Sequence, residues 1–215
     1  MAIRVEYAAV GQYGTNCYLL ADDASGEAAA VDCAVFDGDY RLLLQKAGVA
    51  SLKYILLTHG HFDHVCGVAA LKEVCGGVVC ISSADAAGLT DERANLNAYV
   101  RFGAFRPAPP DRLLREGDTL FLGGTELRVM ETPGHTPGSV CFLTEGMIFS
   151  GDTLFRESMG RTDLPGGSTR TLFRSLRALG ELPGDAAVYP GHGPLTTLLH
   201  EKKNNFYLRQ TGNFG

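Results

Sequence analysis

Histidine and aspartate side chains are concentrated in one short segment of the chain, residues 58–64. Its sequence, THGHFDH, places three of the six histidines and one carboxylate within six residues, directly after an apolar run. Imidazole and carboxylate groups suit Zn²⁺ or Fe²⁺ better than Ca²⁺ or Mg²⁺. At the end of a strand, His59 and His61 can face the same way, while Asp63 and His64 turn toward a second position. The segment predicts a metal site, because a solvated loop has no reason to concentrate imidazole.

Three further candidate ligands stand beside glycine or proline, each at the end of a predicted strand. His135 lies in TPGHTPG, Asp152 in SGDTLF and His192 in YPGHGP. Each alone would more often be a turn or capping residue than a ligand. Together they place five of the six histidines at strand-to-loop junctions, which favours a shared metal site. The sixth, His200, lies in a predicted helix and is interpreted as a surface residue.

Short apolar runs alternate with glycine-rich turns and helical patterns along the chain. Strands are predicted over 16–21, 28–32, 53–57, 78–82, 119–122, 126–131, 139–144, 147–150 and 187–189, and helices over 38–47, 65–74, 168–179 and 196–208. This order predicts an α/β fold, with two halves packed sheet on sheet and helices outside. Residues 90–114 interrupt this alternation of predicted strands and helices, and they are rich in aromatic and basic side chains. They are predicted to form an insertion or lid-like segment, serving either as a substrate lid or as a homodimer contact.

The composition is that of an ordinary globular protein, with 45% apolar and 20% charged residues in 215, so residues 1–215 are predicted to form a single domain. A net charge of −5 without a lysine or arginine run argues against nucleic-acid binding. No apolar stretch approaches the roughly 18–20 residues that span a bilayer. Residues 1–20 lack the apolar core of a secretion signal, so we expect a cytoplasmic protein. The six scattered cysteines are expected to be buried thiols.

In combination, these motifs resemble the metallo-β-lactamase superfamily. The resemblance rests on HxHxDH at 59–64, PGHTPGS, SGDTLF and PGHG, and it extends back to the early NCYLL and VD segments. Within the superfamily, the chain is most similar to short glyoxalase II-like hydrolases. The resemblance implies a four-layer αβ/βα sandwich of two mixed sheets, with helices on the outer faces and metals in a groove at one edge of the sheets.

The resemblance also implies a binuclear hydrolase. Carried over residue by residue, one metal would be held by His59, His61 and His135, the other by Asp63, His64 and His192, with Asp152 bridging both. Zinc is the expected metal, with iron or manganese as alternatives. Two cations about 3.5–4 Å apart would lower the pKa of a bridging water, whose hydroxide would attack a carbonyl. Asp63 would also orient this hydroxide, which makes the two aspartates the candidate catalytic residues.

A small thioester is the expected substrate, with a related ester as its variant. A thiol has an ordinary pKa of about 8.5, so a thiolate leaves without a general acid, and the motifs contain no obvious acid. S-Lactoylglutathione is the first candidate. Long glyoxalase II enzymes have a further helical domain that contacts glutathione, whereas 23 residues follow His192 here. This departure bears on glutathione recognition and not on the metal chemistry.

The loop after the bridging aspartate leaves an alternative function open. Its GRTD sequence is similar to the persulfide dioxygenases of the superfamily, in which His59, His135 and Asp152 would hold one iron. Arg156 and Arg161 in the same loop are candidates to bind an anionic substrate, or else to form a salt bridge with a neighbouring carboxylate. A β-lactamase is disfavoured because PGHTPGS and SGDTLF are more similar to the glyoxalase branch. A purely structural zinc site is disfavoured because such sites are closed and commonly rich in cysteine.

Overall fold

The computed structural model describes residues 3–210, and the first half of the chain forms one mixed sheet. Its strands are, in spatial order, β1 (Arg4–Val10), β2 (Thr15–Asp22), β3 (Glu27–Val31), β4 (Tyr54–Leu56), β5 (Val78–Ser82) and β6 (Arg112–Leu114). Strands β1 to β3 pair antiparallel, and β3 to β6 pair parallel. Because parallel strands share one orientation, the loops that follow β3, β4 and β5 all emerge at the same edge of this sheet.

The second half forms a second mixed sheet of six strands. They are β7 (Thr119–Leu122), β8 (Thr125–Glu131), β9 (Val140–Thr144), β10 (Met147–Gly151), β13 (Ala187–Pro190) and β14 (Thr196–Thr197), in the spatial order β14-β13-β10-β9-β8-β7. Only β10 and β13 pair parallel. A separate small hairpin, β11 (Leu154–Phe155) and β12 (Ser158–Met159), follows β10.

Three apolar cores separate four layers. Tyr18, Phe142 and Phe149 belong to the core between the two sheets. Two further cores lie on the outer faces, the first beneath α1 (Gly38–Ala47) and α3 (Val68–Cys75), the second beneath α5 (Thr169–Gly180), α6 (Leu198–Asn204) and α7 (Phe206–Gln210). The remaining helices, α2 (Phe62–Val65), α4 (Asn97–Val100) and the 3-10 turn Ala86–Leu89, are one turn long. The predicted α/β sandwich of two mixed sheets with outer helices is confirmed.

Local signals place α1 and α5 where the sequence predicts them. The Asp37 carboxylate caps α1, accepting hydrogen bonds from the backbone N–H groups of residues 39 and 40. Gly48 ends this helix in the left-handed region at φ 66°. The Ser168 hydroxyl accepts from Thr171 N–H and begins α5.

Two predicted helices are wrong in their continuity. The helix predicted over 65–74 is divided into α2 and α3 by a break at residues 66 and 67, where the Gly67 N–H donates to the carbonyl of Cys33 at 2.9 Å. The helix predicted over 196–208 begins as β14 and divides at Asn205 into α6 and α7. The Asn205 side-chain oxygen accepts from the N–H groups of Tyr207 and Leu208, so it caps α7. Both breaks depend on contacts that helical periodicity does not contain.

The segment 90–114 contributes α4 and β6 and packs against the rest of the fold. Phe102 and Phe105 contact a small buried cluster that contains Phe62 and Leu96. The Asn97 side chain accepts from Phe102 N–H at 3.0 Å and donates to the carbonyl of Gly103 at 3.1 Å. The aromatic residues of the segment therefore anchor it beside α2, and its lid-like role stays a prediction.

All six cysteines are buried free thiols, as the sequence predicts. Burial raises the pKa of Cys141 to about 11 and that of Cys66 to about 12, so both remain protonated at neutral pH. Within residues 3–210, no helix has the length and apolar character needed to cross a membrane.

Replacing Phe142 by alanine should lower the free energy of unfolding by about 3–5 kcal/mol, because Phe142 is fully buried between the sheets and its removal leaves a cavity. Phe121→Ala, in the same sheet, is the matched control. Since Phe121 is 52% exposed, its substitution should change the free energy of unfolding by only about 0.5 kcal/mol. Urea denaturation of both variants measures this difference, and equal losses would contradict the assigned core.

Candidate metal centre

The seven candidate ligands converge because the strands that precede them end at the same edge. His59 and His61 follow β4, and Asp152 and His192 follow β10 and β13, whose carboxyl ends coincide in a parallel pair. His135 follows β8, which runs in the same direction as β10 because each is antiparallel to β9. The groove between the two sheets at this edge therefore collects side chains that lie more than a hundred residues apart in sequence.

Within residues 3–210, three groups of side chains each bring their ligand atoms within 4.8 Å of one another; one of them, His59, His64 and Asp152, links the other two. His59, His61 and His135 form the first group, in which Nδ1 of His61 lies 2.8 Å from Nε2 of His135. The second consists of Asp63, His64 and His192.

In the second group, Oδ2 of Asp63 lies 3.2 Å from Nε2 of His192 and 3.8 Å from Nε2 of His64. These are the two groupings that the sequence analysis expected.

The Asp152 carboxylate lies between the two groups. Its Oδ2 is 3.5 Å from Nε2 of His135 and 3.6 Å from Nε2 of His192. Its Oδ1 is 3.4 Å from Nε2 of His64. One carboxylate thus reaches imidazoles of both groups, which is the geometry expected of a bridging ligand.

Burial sets the protonation of two histidines of the first group, His59 and His61. It lowers the pKa of His59 well below the ordinary value, and the nearby His64, His135 and His61 lower it further. Burial together with the neighbouring His135 lowers the pKa of His61 to about 3. Both imidazoles are therefore neutral at pH 7 and have a free lone pair, which is the form that binds a cation.

Negatively charged carboxylates determine the electrostatic potential around the second group. Burial acts to lower the pKa of His64, but the charges of Asp32, Asp152 and Asp63 outweigh it and raise that pKa well above its ordinary value. Burial acts to raise the pKa of Asp63 and Asp152, but the neighbouring His64 and His192, joined by His135 at Asp152, together outweigh it and lower the pKa of both carboxyl groups. Ionised carboxylates and a preference for positive charge at His64 favour a cation at this position.

Several buried polar atoms of the cluster lack a hydrogen-bond partner. Within residues 3–210, four buried side-chain nitrogen or oxygen atoms form no hydrogen bond, and three of them are His59 Nε2, His64 Nε2 and Asp152 Oδ1. Leaving such atoms unpaired costs about 1–3 kcal/mol each. Five imidazoles and two carboxylates are donors that suit zinc or iron, and coordination would satisfy the three unpaired atoms. The residues present therefore fit a pair of divalent cations.

Asp32 orients one of these imidazoles, and the sequence analysis missed it as a functional residue. Its carboxylate accepts from Thr58 N–H at 2.9 Å and Thr58 Oγ1 at 2.8 Å, and lies 2.8 Å from Nδ1 of His64. These contacts direct Nε2 of His64 into the cluster. Asp32 has a left-handed backbone, at φ 59°. The available signal was its position directly after a buried strand, the context that identified Asp152.

Asp85 joins the two loops that carry the first group, and sequence reasoning missed it as well. Its buried carboxylate accepts from the N–H groups of Gly60 and Gly138, both at 2.8 Å, and from Thr136 Oγ1 at 2.6 Å. The loop after β4 and the loop between β8 and β9 are thereby held at a fixed separation. The local sequence around Asp85 contains no motif that would have indicated this role.

The loop that carries His192 is held by the first sheet. The Asn16 side chain and the Tyr18 hydroxyl donate to the carbonyl of Pro190 at 3.0 and 2.6 Å. Gly191 passes so close to Asp152 that an added Cβ would overlap Oδ1 of that carboxylate. A residue with a side chain at this position would displace the central carboxylate.

A cavity of about 480 Å³ opens onto the cluster. The cluster residues that line it are His61, Asp63, His135, Asp152 and His192, and the other lining residues are Tyr13, Phe62, Leu96, Val100, Phe155, Ser158, Met159, Arg161 and Leu164. Most of the wall outside the cluster is therefore apolar.

The two arginine candidates occupy different positions. Arg161 lines the cavity, but its guanidinium forms a bidentate salt bridge with Asp163, at 2.7 and 2.8 Å. Its backbone carbonyl accepts from Nδ1 of His135 at 2.7 Å, which orients that imidazole. Arg156 is exposed and does not line this cavity. The sequence left two roles open for Arg161, binding of an anionic substrate or a salt bridge with a neighbouring carboxylate. The structure contains the salt bridge.

Known proteins are similar to this chain in sequence and in fold. Hydroxyacylglutathione hydrolase GloC of Haemophilus influenzae is 35% identical over 215 residues, which cover 96% of this chain and 98% of that protein. The crystal structure of BLEG-1 B3 metallo-beta-lactamase matches with a TM-score of 0.88 at 34% identity, over 95% of this chain and 99% of that one. The crystal structure of TTHA1623 in a di-iron-bound form matches with a TM-score of 0.82 at 38% identity, over 94% of this chain and 99% of that one.

The sequence also matches a family profile described as the Metallo-beta-lactamase superfamily over residues 10–192. This range includes all seven candidate ligands and both sheets apart from β1 and β14. The expected resemblance is confirmed: the chain belongs to the metallo-β-lactamase superfamily.

Proposed function

We propose that this protein is a binuclear metallohydrolase that cleaves a small thioester or a related ester. The observation that carries the proposal is the position of the Asp152 carboxylate, 3.4–3.6 Å from imidazoles of both ligand groups and facing the cavity. The similarity to a hydroxyacylglutathione hydrolase supports the thioester as substrate class.

Two cations, which we propose to be zinc, would be held by the seven side chains. One would bind His59, His61 and His135, the other Asp63, His64 and His192, with Asp152 shared between them. When bound, the cations would lower the pKa of a water molecule and polarise the substrate carbonyl.

The protein's own residues hold the reacting groups in place. Thr15 Oγ1 donates to Oδ2 of Asp63 at 3.3 Å and so fixes the orientation of this carboxylate. Oδ1 of Asp63 does not take part in this hydrogen bond. We assign Asp63 the orientation of the attacking water, because it lines the cavity beside His192. Asp32 and Asp85 position the histidines without touching the substrate, so they are positioning residues.

The composition of the cavity wall favours a leaving group that departs without a proton. Apart from the proposed ligands, its polar side chains are Tyr13, Ser158 and Arg161, and none of these is a carboxylic acid or an imidazole. A thiolate meets this condition, because an ordinary thiol pKa is about 8.5. An amine leaves poorly unless it is protonated, so we expect slower cleavage of a β-lactam such as a cephalosporin.

Replacing Asp152 by alanine should lower kcat/KM for S-lactoylglutathione by at least about 100-fold, because the ligand shared by both cations is removed. The loss should exceed the roughly 10- to 100-fold cost that is typical when a residue hydrogen-bonded to a metal ligand is replaced. Asp23→Ala is the matched control, since Asp23 is exposed and pairs with Arg4 far from the cavity. Thiol release measures the rate, and elemental analysis measures the bound metal. Full activity in Asp152→Ala, or failure of the metal-replete protein to cleave any thioester or ester, would contradict the proposal.

Replacing Asp85 by asparagine should weaken metal binding by about 10- to 100-fold, the usual cost of losing an outer-sphere partner. The amide would place an N–H group against donors at Gly60, Gly138 or Thr136, so the two loops would separate. Competition with a chromophoric chelator measures the affinity, and circular dichroism checks the fold. Asp39→Asn, at an exposed position of α1, should bind metal like the parent protein. Equal affinities in all three proteins would show that Asp85 does not position the ligands.

An iron-dependent persulfide dioxygenase is the second candidate; the similarity to a protein solved in a di-iron-bound form supports iron as the metal, although that form holds two ions and not one. The hydrolase proposal predicts no oxygen uptake when iron-loaded protein is mixed with glutathione persulfide. An oxygen electrode measures this directly. Stoichiometric oxygen consumption that is lost in His135→Ala would replace the hydrolase by the dioxygenase.

A further inference from the structure

We infer that an apolar cavity beside the metal cluster binds an apolar chain of the substrate, so that the preferred substrates are thioesters or esters with such a chain. This inference rests on the proposed hydrolase function and specifies its substrate class. The chain could belong either to the acyl group or to the leaving group, and the two sources share the same chemistry.

A second cavity, of about 440 Å³, adjoins the one that opens onto the metal cluster. Leu96, Val100 and Leu164 line both cavities, so the two are separated by no more than these side chains. A ligand bound at the cluster can therefore extend along this shared wall. Tyr99 and Pro165 line the outer cavity and do not line the one at the metal cluster.

The path between the two cavities is apolar at both ends. On the side of the metal cluster, Phe62 and Met159 contribute to the wall. In the outer cavity, every lining side chain except that of Arg93 is apolar or aromatic. Tyr99 is 72% exposed and Val100 is 41% exposed, although both are large hydrophobic residues. A substrate chain would remove this surface from water.

The wall is preformed, so that binding need not order it. Phe62 N–H donates to the carbonyl of Asn95 at 2.9 Å, and the Asn95 side-chain oxygen accepts from Asn97 N–H at 2.9 Å. The rings of Tyr13, Phe62 and Phe102 contact one another, with centroids 5.2–5.5 Å apart. These contacts join α4 to α2, next to the proposed ligands. A wall that is already ordered lowers the entropic cost of binding.

Charge in the same region argues for an apolar ligand rather than a multiply charged one. The guanidinium of Arg161, the one basic side chain of the inner cavity other than histidine, is already paired with Asp163. Arg93 lies at the outer cavity alone. A peptide-like thiol with several carboxylates would find fewer complementary groups here than an alkyl chain.

Two series of substrates test the inference. In the first, N-acetylcysteamine thioesters carry acetyl, butanoyl, hexanoyl or octanoyl groups. In the second, the acetyl group is kept and the thiol is ethane-, butane- or hexanethiol. We expect kcat/KM to rise about two- to fourfold per methylene in the series whose chain enters the cavity, the gain expected for burying a CH₂ group. A flat profile in both series would overturn the inference.

The variant Val100→Asp places a charge on the shared wall, and Val74→Asp is its control. Both valines are exposed helical residues, but Val74 lies on α3 and lines neither cavity. Val100→Asp should abolish the gain with chain length, whereas Val74→Asp should keep it. Equal behaviour of the two variants would overturn the inference. So would a change in oligomeric state confined to Val100→Asp by light scattering, because the surface would then be a homodimer contact.

A binding measurement separates this inference from the proposed function. Calorimetric titration with straight-chain carboxylates from butanoate to octanoate needs no turnover. A Kd that falls with chain length in the parent protein and in Val74→Asp, but not in Val100→Asp, would support the cavity even if no thioester or ester were cleaved, in which case the hydrolase proposal alone would fail. A Kd independent of chain length would overturn the cavity assignment even in an active hydrolase.

Discussion

Seven imidazole and carboxylate groups are held together at one edge of the sandwich, where they cannot all satisfy one another by hydrogen bonds. His59 Nε2, His64 Nε2 and Asp152 Oδ1 remain buried and unpaired. Such an arrangement is unfavourable unless a cation supplies the missing partner, and it persists only if the surrounding structure prevents collapse. The contacts of Asp32 and Asp85 provide that support: Asp32 holds the Thr58 N–H and orients His64, and Asp85 fixes two loops through the N–H groups of Gly60 and Gly138.

The site and the packing of the two sheets are one structural feature. Asn16 N–H donates to the carbonyl of Gly191 at 2.7 Å, and Val140 N–H donates to that of Thr58 at 2.8 Å. Both bonds cross from the first half of the chain to the second, immediately beside proposed ligands. Metal binding to this centre would therefore stabilise the contact between the halves as well as the loops, and chelation would loosen both.

The fold and the candidate ligands were predictable to the extent that they depend on residue type and on the spacing of apolar residues along the chain. The histidines and Asp152 were found because imidazole is rare and because each follows an apolar run. The starts of α1 and α5 were predicted within one residue of where the structure has them, and the structure shows that Asp37 and Ser168 cap these helices. Features of this kind can be recognised from residues that are neighbours in the sequence.

What sequence reasoning missed depends on partners distant in the chain. Asp85 resembles any turn aspartate until residues 60 and 138 are brought to it. The break at Asn205 depends on a cap that competes with a continuous helix, and the break at Gly67 depends on the hydrogen bond from its N–H to the carbonyl of Cys33. Strand β1 (Arg4–Val10), which was not predicted, mixes exposed and half-buried residues because it lies at the edge of its sheet.

The division of the proposed ligands between the two halves has a consequence for biosynthesis. His59, His61, Asp63 and His64 leave the ribosome about 130 residues before His192 does. At roughly 5–20 residues per second, the nascent first half displays four donors for about 7–26 s before His192 completes the proposed set. A cation captured in that interval would have an incomplete coordination shell. Coordination by all seven proposed ligands would therefore require that the second sheet has docked on the first.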